Sequence, residues 1–282
     1  MKILIFGASG TVGKPMFQAL SKEHEVYGTY NSNKPEDALD SFWHCFSVAA
    51  NNTSLKTLLD FVKPDLIISS LVGDFEMQLQ AHKHMGEYLR QTAGRIVFLS
   101  TANVFDGDTR GAHSEKTAPY PISKYGSFKL ECETYLQNEL DNRCLIVRLP
   151  KIMDEITAVA WRTQAKTGTP PVYENLYMSF NTAENVANTI KYCINIEKSG
   201  VLHLTSSDSI SISKGMELLG TKTTSCKQLT IESYCDIFNC KDYNLLRHDG
   251  DNIFKLDLVC TDEDISSRFM ISCEEVFRSL II

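Results

Sequence analysis

The sequence predicts an α/β protein: a doubly wound parallel sheet in residues 1–150, followed by a smaller C-terminal lobe in residues 151–282. Three observations predict it. Short apolar runs rich in β-branched residues alternate with amphipathic stretches, the pattern of βαβ units. The first run leads directly into a glycine-rich turn and then a helix signal. The chain of 282 residues, 43% hydrophobic and 22% charged, can bury a sizeable core without metal or disulfide staples.

The elements follow in order. Residues 2–6 (KILIF) form a continuous apolar run of the kind buried on both faces of a parallel sheet. GASGTVG follows, then a helical stretch, KPMFQALSK, with Pro15 in its first turn, where a missing N–H does no harm. A second strand is expected at 25–30, a polar loop at 31–37 and a third strand around 42–48. Residues 53–62 place Leu55, Leu58, Leu59 and Val62 on one helical face, and Pro64 ends the helix. A fourth strand (65–71), a longer helix (75–92) and a fifth strand (95–100) continue the alternation. A helix at 123–139 leads to a sixth strand at 144–149. Beyond Pro150 the alternation weakens, with helix signals at 155–166 and 182–197 and a strand at 201–205. The last sheet elements, at about 180–205, therefore interleave with the smaller lobe.

Lys and Arg number 28 against 35 Asp and Glu, a net charge of −7. Such a chain lacks the electrostatic footprint of a duplex-binding protein, so no nucleic-acid partner is expected. No apolar run approaches the roughly 18 residues of a membrane span, so no membrane partner is expected either. The chain starts directly with a strand-like run and shows no signal-peptide core. The nine cysteines are scattered, with no CxxC pair. They read as free thiols in a reducing cytoplasm. His82 and His84 sit two apart on a helix and face different ways, so no metal site is expected. His44 and His203 read as packed histidines, and Trp43 and Trp161 as core or pocket wall. Asp106 and Asp108 read as turn residues, and the acidic runs at Glu131–Glu133 and Asp262–Asp264 as solvated surface.

The turn after the first strand holds Gly7, Ser9, Gly10, Thr11, Val12 and Gly13. In that context the first glycine permits a tight turn, the second admits a pyrophosphate, and the third lets helix and strand approach closely. The following helix N-terminus offers free N–H groups and partial positive charge to phosphates. The GxxGxxG spacing resembles the short-chain dehydrogenase/reductase superfamily in its extended or atypical branches. That resemblance implies a Rossmann-type sheet and a nicotinamide dinucleotide cofactor.

An acid at the end of the second strand would bind ribose hydroxyls and repel a 2′-phosphate. Here Asn31, Ser32 and Lys34 occupy that stretch, and no acid occurs before Glu36. NADP is therefore the favoured cofactor, with NAD left open. The resemblance further places Ser70 and Leu71, at the end of the fourth strand, near the nicotinamide. Where relatives often carry an aspartate for adenine, this chain has Ser47-Val48.

Two later segments sharpen the resemblance. FLSTANVFDG (Phe98–Gly107) follows the fifth strand, and APYPISKYGSFKLECE (Ala118–Glu133) contains Tyr125-Gly-Ser-Phe-Lys129. Together they resemble the dTDP-4-dehydrorhamnose reductase family, which reads ST-x-x-VFDG and YG-x-x-K at these places. The likeness is good over residues 1–150 and loose beyond. It implies reduction of a keto group on a nucleotide-activated deoxysugar or another small carbonyl compound. Tyr125 would donate the proton to the carbonyl oxygen, and Lys129 would lower the phenol's pKa and hold the nicotinamide ribose. Thr101 would orient the substrate oxygen, with Ser100 as the second candidate. Ser100, Asn103 and Lys151 are further candidates to touch substrate. Lys151 reads equally as an anion contact and as a solvated loop residue.

Sugar-nucleotide dehydratases resemble this segment but carry Asp-Glu after the threonine. Ala102-Asn103 stands here, and neither can act as acid or base. Two other readings remain open: a sugar-nucleotide epimerase that retains NAD, and a non-catalytic dinucleotide-binding regulatory subunit. The superfamily resemblance also leaves open a homodimer through the tyrosine-bearing helix and the helix before it.

Overall fold

The computed structural model describes the chain except residues 37, 38, 40, 50, 51, 169, 170, 223–225, 241 and 282, and the side chains of 52 and 53. Residue 37, the end of the expected polar loop 31–37, lies outside the described residues. The chain divides into two compact units: residues 1–100, 128–147 and 183–201 form the first, and 101–127, 148–182 and 202–282 the second.

The first unit carries most of the sheet strands β1 (Lys2–Phe6), β2 (Glu25–Tyr30), β3 (Trp43–Cys45), β4 (Leu66–Ser69), β5 (Arg95–Thr101) and β6 (Cys144–Leu149), the last residues of β5 and β6 counting with the second. With the strand Gly200–His203 they form a seven-stranded parallel sheet, ordered Gly200–His203, β6, β5, β4, β1, β2, β3. Register pairs Ile3 with Val26 on one side and with Leu66 on the other, and Ser69 with Phe98. Ile3, Leu4, Ile5 and Phe6 are fully buried, as a strand covered on both faces requires. The order reverses between β1 and β4. In open α/β sheets ligands bind beyond the carboxyl ends of the strands at such a switch point, and here the glycine turn and Ser70-Leu71 stand there.

Helices α1 (Gly13–Leu20), α2 (Asn52–Val62), α3 (Phe75–Gln91) and α4 (Lys124–Leu140) follow β1, β3, β4 and β5. Helix α5 (Glu155–Thr167) lies in the second unit, and α6 (Ala183–Asn195) returns to the first to pack on α1. Leu55, Leu58, Leu59 and Val62 of α2 enter the same core as Met85 and Leu89 of α3 and Leu136 and Leu140 of α4. Each apolar stripe recurs at helical spacing, so burial selects these faces. Asp74 caps α3 by accepting from the Met77 amide at 3.0 Å. The expected third strand of 42–48 shortens to Trp43–Cys45, because β3 has one partner, β2, and Phe46 turns away to meet Phe6 edge-on at 5.0 Å. Helix α6 ends at Asn195, two residues early, where Glu197 takes a left-handed backbone with φ 52°.

The second unit is built from short strands and helices. Residues 151–153 pair in parallel with 180–182, and 176–178 pair with 210–211 and 254–256. Phe180, Phe277 and Trp161 pack edge to face in one cluster, and Tyr234 and Phe254 stack in another. The buried Asn175 amide bonds the backbone of Leu229 in both directions and that of Asn252, stitching three loops. His203 is fully buried: its ring nitrogens meet the carbonyls of His113 and Val259 and, at 3.4 Å, Arg148. Among the described residues, no helix is long and apolar enough to cross a membrane.

Candidate active site

The glycine turn is locked from within the first unit. Gly7 has φ 76°, and its amide donates to Thr29 Oγ1 at 2.9 Å. The Gly10 amide closes the turn onto the Gly7 carbonyl at 3.0 Å. A Cβ on Gly13 would stand 2.1 Å from the Gly7 carbonyl oxygen, so only glycine lets α1 start this close to β1. No side chain caps α1 at Val12. Its first N–H groups and positive dipole end therefore suit an anion. Ser9, Gly10 and Thr11 are exposed at this end. A cradle that a Cβ would fill, at an uncapped helix start, fits a pyrophosphate.

Ser70 closes the other side of the turn. Its hydroxyl donates to the carbonyls of Phe6 (2.9 Å) and Gly7 (3.2 Å), and its amide donates to Phe6. Leu71 is buried in the sheet core. Asn31 and Ser32 are exposed and Lys34 is half-buried, all in the loop after β2.

In the second unit, residues 101–127 assemble the start of α4. Thr101 accepts the Asn103 amide at 3.2 Å, capping a short 3-10 turn at 102–105, and its hydroxyl bonds the Asn103 side chain. Asp106 is fully buried. It accepts from the amides of Ile122 (2.7 Å) and Ser123 (3.2 Å) and from the Ser123 hydroxyl. The Ser123 oxygen in turn accepts the Gly126 amide at 2.9 Å. A Cβ on Gly126 would meet the Asn103 carbonyl oxygen at 2.2 Å, so the helix start is pressed against the turn after β5. These bonds fix where Tyr125 begins. Asp106 is thus more than a turn residue, and with Ser123 and Gly126 it is what the sequence reading missed. The clue was present: an acid in VFDG and a serine three residues before a glycine can cap a helix jointly.

The phenol of Tyr125 hydrogen-bonds Thr101. Burial pushes the phenol above its ordinary 10, and the Thr101 bond works in the opposite direction. Tyr125 is 38% exposed and can meet a ligand, whereas Lys129, one turn on along α4, is 6% exposed. The Lys129 ammonium donates to the Leu99 carbonyl at 2.9 Å and stands 4.7 Å from the centre of the Phe98 ring. Burial pushes it down to about 8, against the pull of Cys132 and Glu133.

Ser100 is buried and donates to Glu133. Glu133 is itself 1% exposed, which corrects the reading of Glu131–Glu133 as solvated surface; Glu131 alone is exposed. Asn103 is half-buried and bonded to Thr101. Lys151 is exposed, in the strand 151–153 and not in a loop.

The chain resembles known proteins in sequence and in fold. The RmlD substrate binding domain family matches residues 1–215. A probable low-salt glycan biosynthesis reductase, Agl14, of Haloferax volcanii is 26% identical over 250 residues, covering 79% of this chain and 82% of that protein. A hypothetical dTDP-4-dehydrorhamnose reductase from Sulfolobus tokodaii superposes with a TM-score of 0.71 at 21% identity, covering 98% of this chain and 99% of the other. A dTDP-4-dehydrorhamnose reductase from Bacillus anthracis, solved with NADP, gives 0.70 at 18% identity, covering 99% and 96%. Both structural likenesses show the shared fold. With three quarters of its length matched, the chain belongs to the RmlD substrate binding domain family.

Proposed function

We propose that this protein is an NADP-dependent oxidoreductase that reduces a keto group on a nucleotide-activated sugar. The observation that carries the reading is the Thr101–Tyr125 hydrogen bond, with a buried Lys129 one turn along the same helix. Family membership and the reductase relative support the substrate class. The NADP-bound relative, and the lack of an acid at 31–35, support the cofactor.

The residues of the glycine turn, Gly7 to Gly13, would hold the pyrophosphate, and Asn31, Ser32 and Lys34 the 2′-phosphate. When bound, the reduced dinucleotide supplies a hydride for the carbonyl carbon. Tyr125 donates its phenolic proton to the carbonyl oxygen as that oxygen gains charge. Thr101 would turn its hydroxyl to the same oxygen. The cationic Lys129 favours the phenolate that remains. Asn103 and Lys151 stand as proposed substrate contacts. The scattered cysteines, with no CxxC pair, support a reducing cytoplasmic setting. Self-association through α3 and α4 belongs to the same proposal and is tested by sedimentation.

The test of cofactor choice is calorimetry with NADPH and NADH on wild type and Lys34→Ala. Tighter NADPH binding, weakened in the variant, is expected. Equal binding of both, unchanged in the variant, would overturn the NADP assignment. NAD that survives purification would point to an epimerase.

A further inference from the structure

We propose that Glu133 is a positioning residue for this reaction: its buried carboxylate fastens the end of β5 through Ser100 and is the counter-charge that keeps Lys129 protonated. The inference rests on the reductase reading for the purpose of Lys129, though not for the geometry itself.

Glu133 and Lys129 lie four residues apart on α4, hence on one face. Both are buried, at 1% and 6% exposure. Two consecutive residues of β5 are tied to this single turn of helix. The Leu99 carbonyl accepts from Lys129 Nζ at 2.9 Å, and the Ser100 hydroxyl donates to Glu133 Oε1. The next residue is Thr101, so the threonine that bonds Tyr125 is reached through a backbone anchored by Glu133. An ammonium and a carboxylate buried separately would each carry a heavy desolvation cost, which falls when they share one apolar site.

Glu133 is a carboxylate whose charge acts on Lys129 from the same helix. The titratable groups near the ammonium include Cys132, Glu133 and, one turn back, Tyr125 on α4, and His82 on α3. Burial pushes the Cys132 thiol up to about 12, so it stays neutral throughout the working range. His82 is fully buried and pushed down to about 3, so it is neutral too. Its Nδ1 lies 3.8 Å from Cys132 Sγ, and the Phe98 ring stands edge-on to it at 4.8 Å. Phe98 and Phe128 supply ring faces, not charge. Glu131 points to solvent beside Lys83, at 3.9 Å. With burial already holding Lys129 near 8, loss of the Glu133 charge moves its titration further down.

The test is a pH titration of the Lys129 Cε resonance in carbon-13 lysine-labelled protein, assigned by its absence in Lys129→Met. In Glu133→Gln the Lys129 pKa is expected to fall by about one unit, a tenfold change in the protonation equilibrium. The alkaline limb of the kcat profile should move down by the same amount, with turnover above the limb cut up to about tenfold. Should Glu133→Gln fail to fold, the double variant Ser100→Ala/Glu133→Met removes both buried partners together, which costs less than orphaning one, and the same shift is expected. A Lys129 titration that stays in place, with turnover reduced by one factor at every pH, would overturn the proposal and leave Glu133 a structural brace. The resonance needs no substrate. If it shifts while wild type turns over no keto sugar, the functional reading fails and the Glu133–Lys129 coupling stands.

Discussion

The hydroxyl of Thr101 hydrogen-bonds the phenol of Tyr125, at the junction where the sheet strand β5 ends and the helix α4 begins. Thr101 is 8% exposed and Tyr125 is 38% exposed. The pair therefore presents an accessible phenol, held by a buried hydroxyl, to an incoming oxygen. Tyr125→Phe removes the proton source and keeps the ring. A loss of roughly 100- to 10,000-fold in kcat is expected, with NADPH affinity within about twofold of wild type. Thr101→Val keeps the shape and removes the hydroxyl, and should cost less, about 10- to 100-fold. Steady-state kinetics with calorimetry on both variants checks this. A larger loss for Thr101→Val than for Tyr125→Phe would reverse the assigned roles.

The glycine turn gives a prediction about backbone space. Gly13→Ala brings a Cβ to 2.1 Å from the Gly7 carbonyl oxygen, closer than atoms can approach, so β1 and α1 must move apart. NADPH affinity should fall by at least about tenfold, near 1.4 kcal/mol, with a lower Tm. Gly111→Ala meets nothing within 4 Å and serves as the control. Unchanged affinity in Gly13→Ala would separate the turn from the cofactor.

Acid stability follows from the buried histidines. Burial holds His82 down at about 3, with the Lys129 charge acting the same way, and burial holds His203 below its usual range. Between pH 6.5 and about 3 the unfolded chain binds a proton at His82 and the native protein does not. Stability is therefore intact above pH 6.5 and falls with pH, by about 1.4 kcal/mol per pH unit for each such histidine. His82→Gln should reduce the slope of unfolding free energy against pH by about that amount between pH 6 and 4. Urea melts across that range measure it, and an unaltered slope would remove His82 from the account.

Asp106 gathers three donors from residues 122 and 123 at the start of α4: the amides of Ile122 and Ser123 and the Ser123 hydroxyl. Asp106→Ala leaves all three inside the protein without that acceptor. A destabilisation of roughly 2–4 kcal/mol is expected, and a fall in kcat beyond what stability explains, because Tyr125 follows two residues later. Asp106→Asn retains an acceptor and should recover part of both.

What was legible in the sequence was local. The KILIF run, the glycine spacing after it and the Tyr125–Lys129 separation each encode their geometry within a few residues, and the strands and helices formed where those patterns lie. Asp106, His82 and Glu133 were less legible because their surroundings arrive from distant parts of the chain. Asp106 meets Ser123 and Tyr234, and His82 meets Ser69 and Cys132. Glu133 had a readable signal nonetheless: it stands one turn beyond Lys129, so burial of the lysine face entails burial of Glu133, while Glu131 rotates to solvent. Spacing alone shows that Lys129 shares a face with Tyr125, but not that its ammonium bonds the Leu99 carbonyl.

The most direct test is NADPH oxidation, followed by the absorbance of the reduced nicotinamide, on a nucleotide-activated 4-keto sugar with wild type and Tyr125→Phe side by side. Rapid, stoichiometric NADPH loss in wild type and its near-abolition in the variant is the predicted result. NADPH bound tightly but consumed equally slowly by both proteins would contradict it, leaving a dinucleotide-binding protein whose Tyr125 does no chemistry.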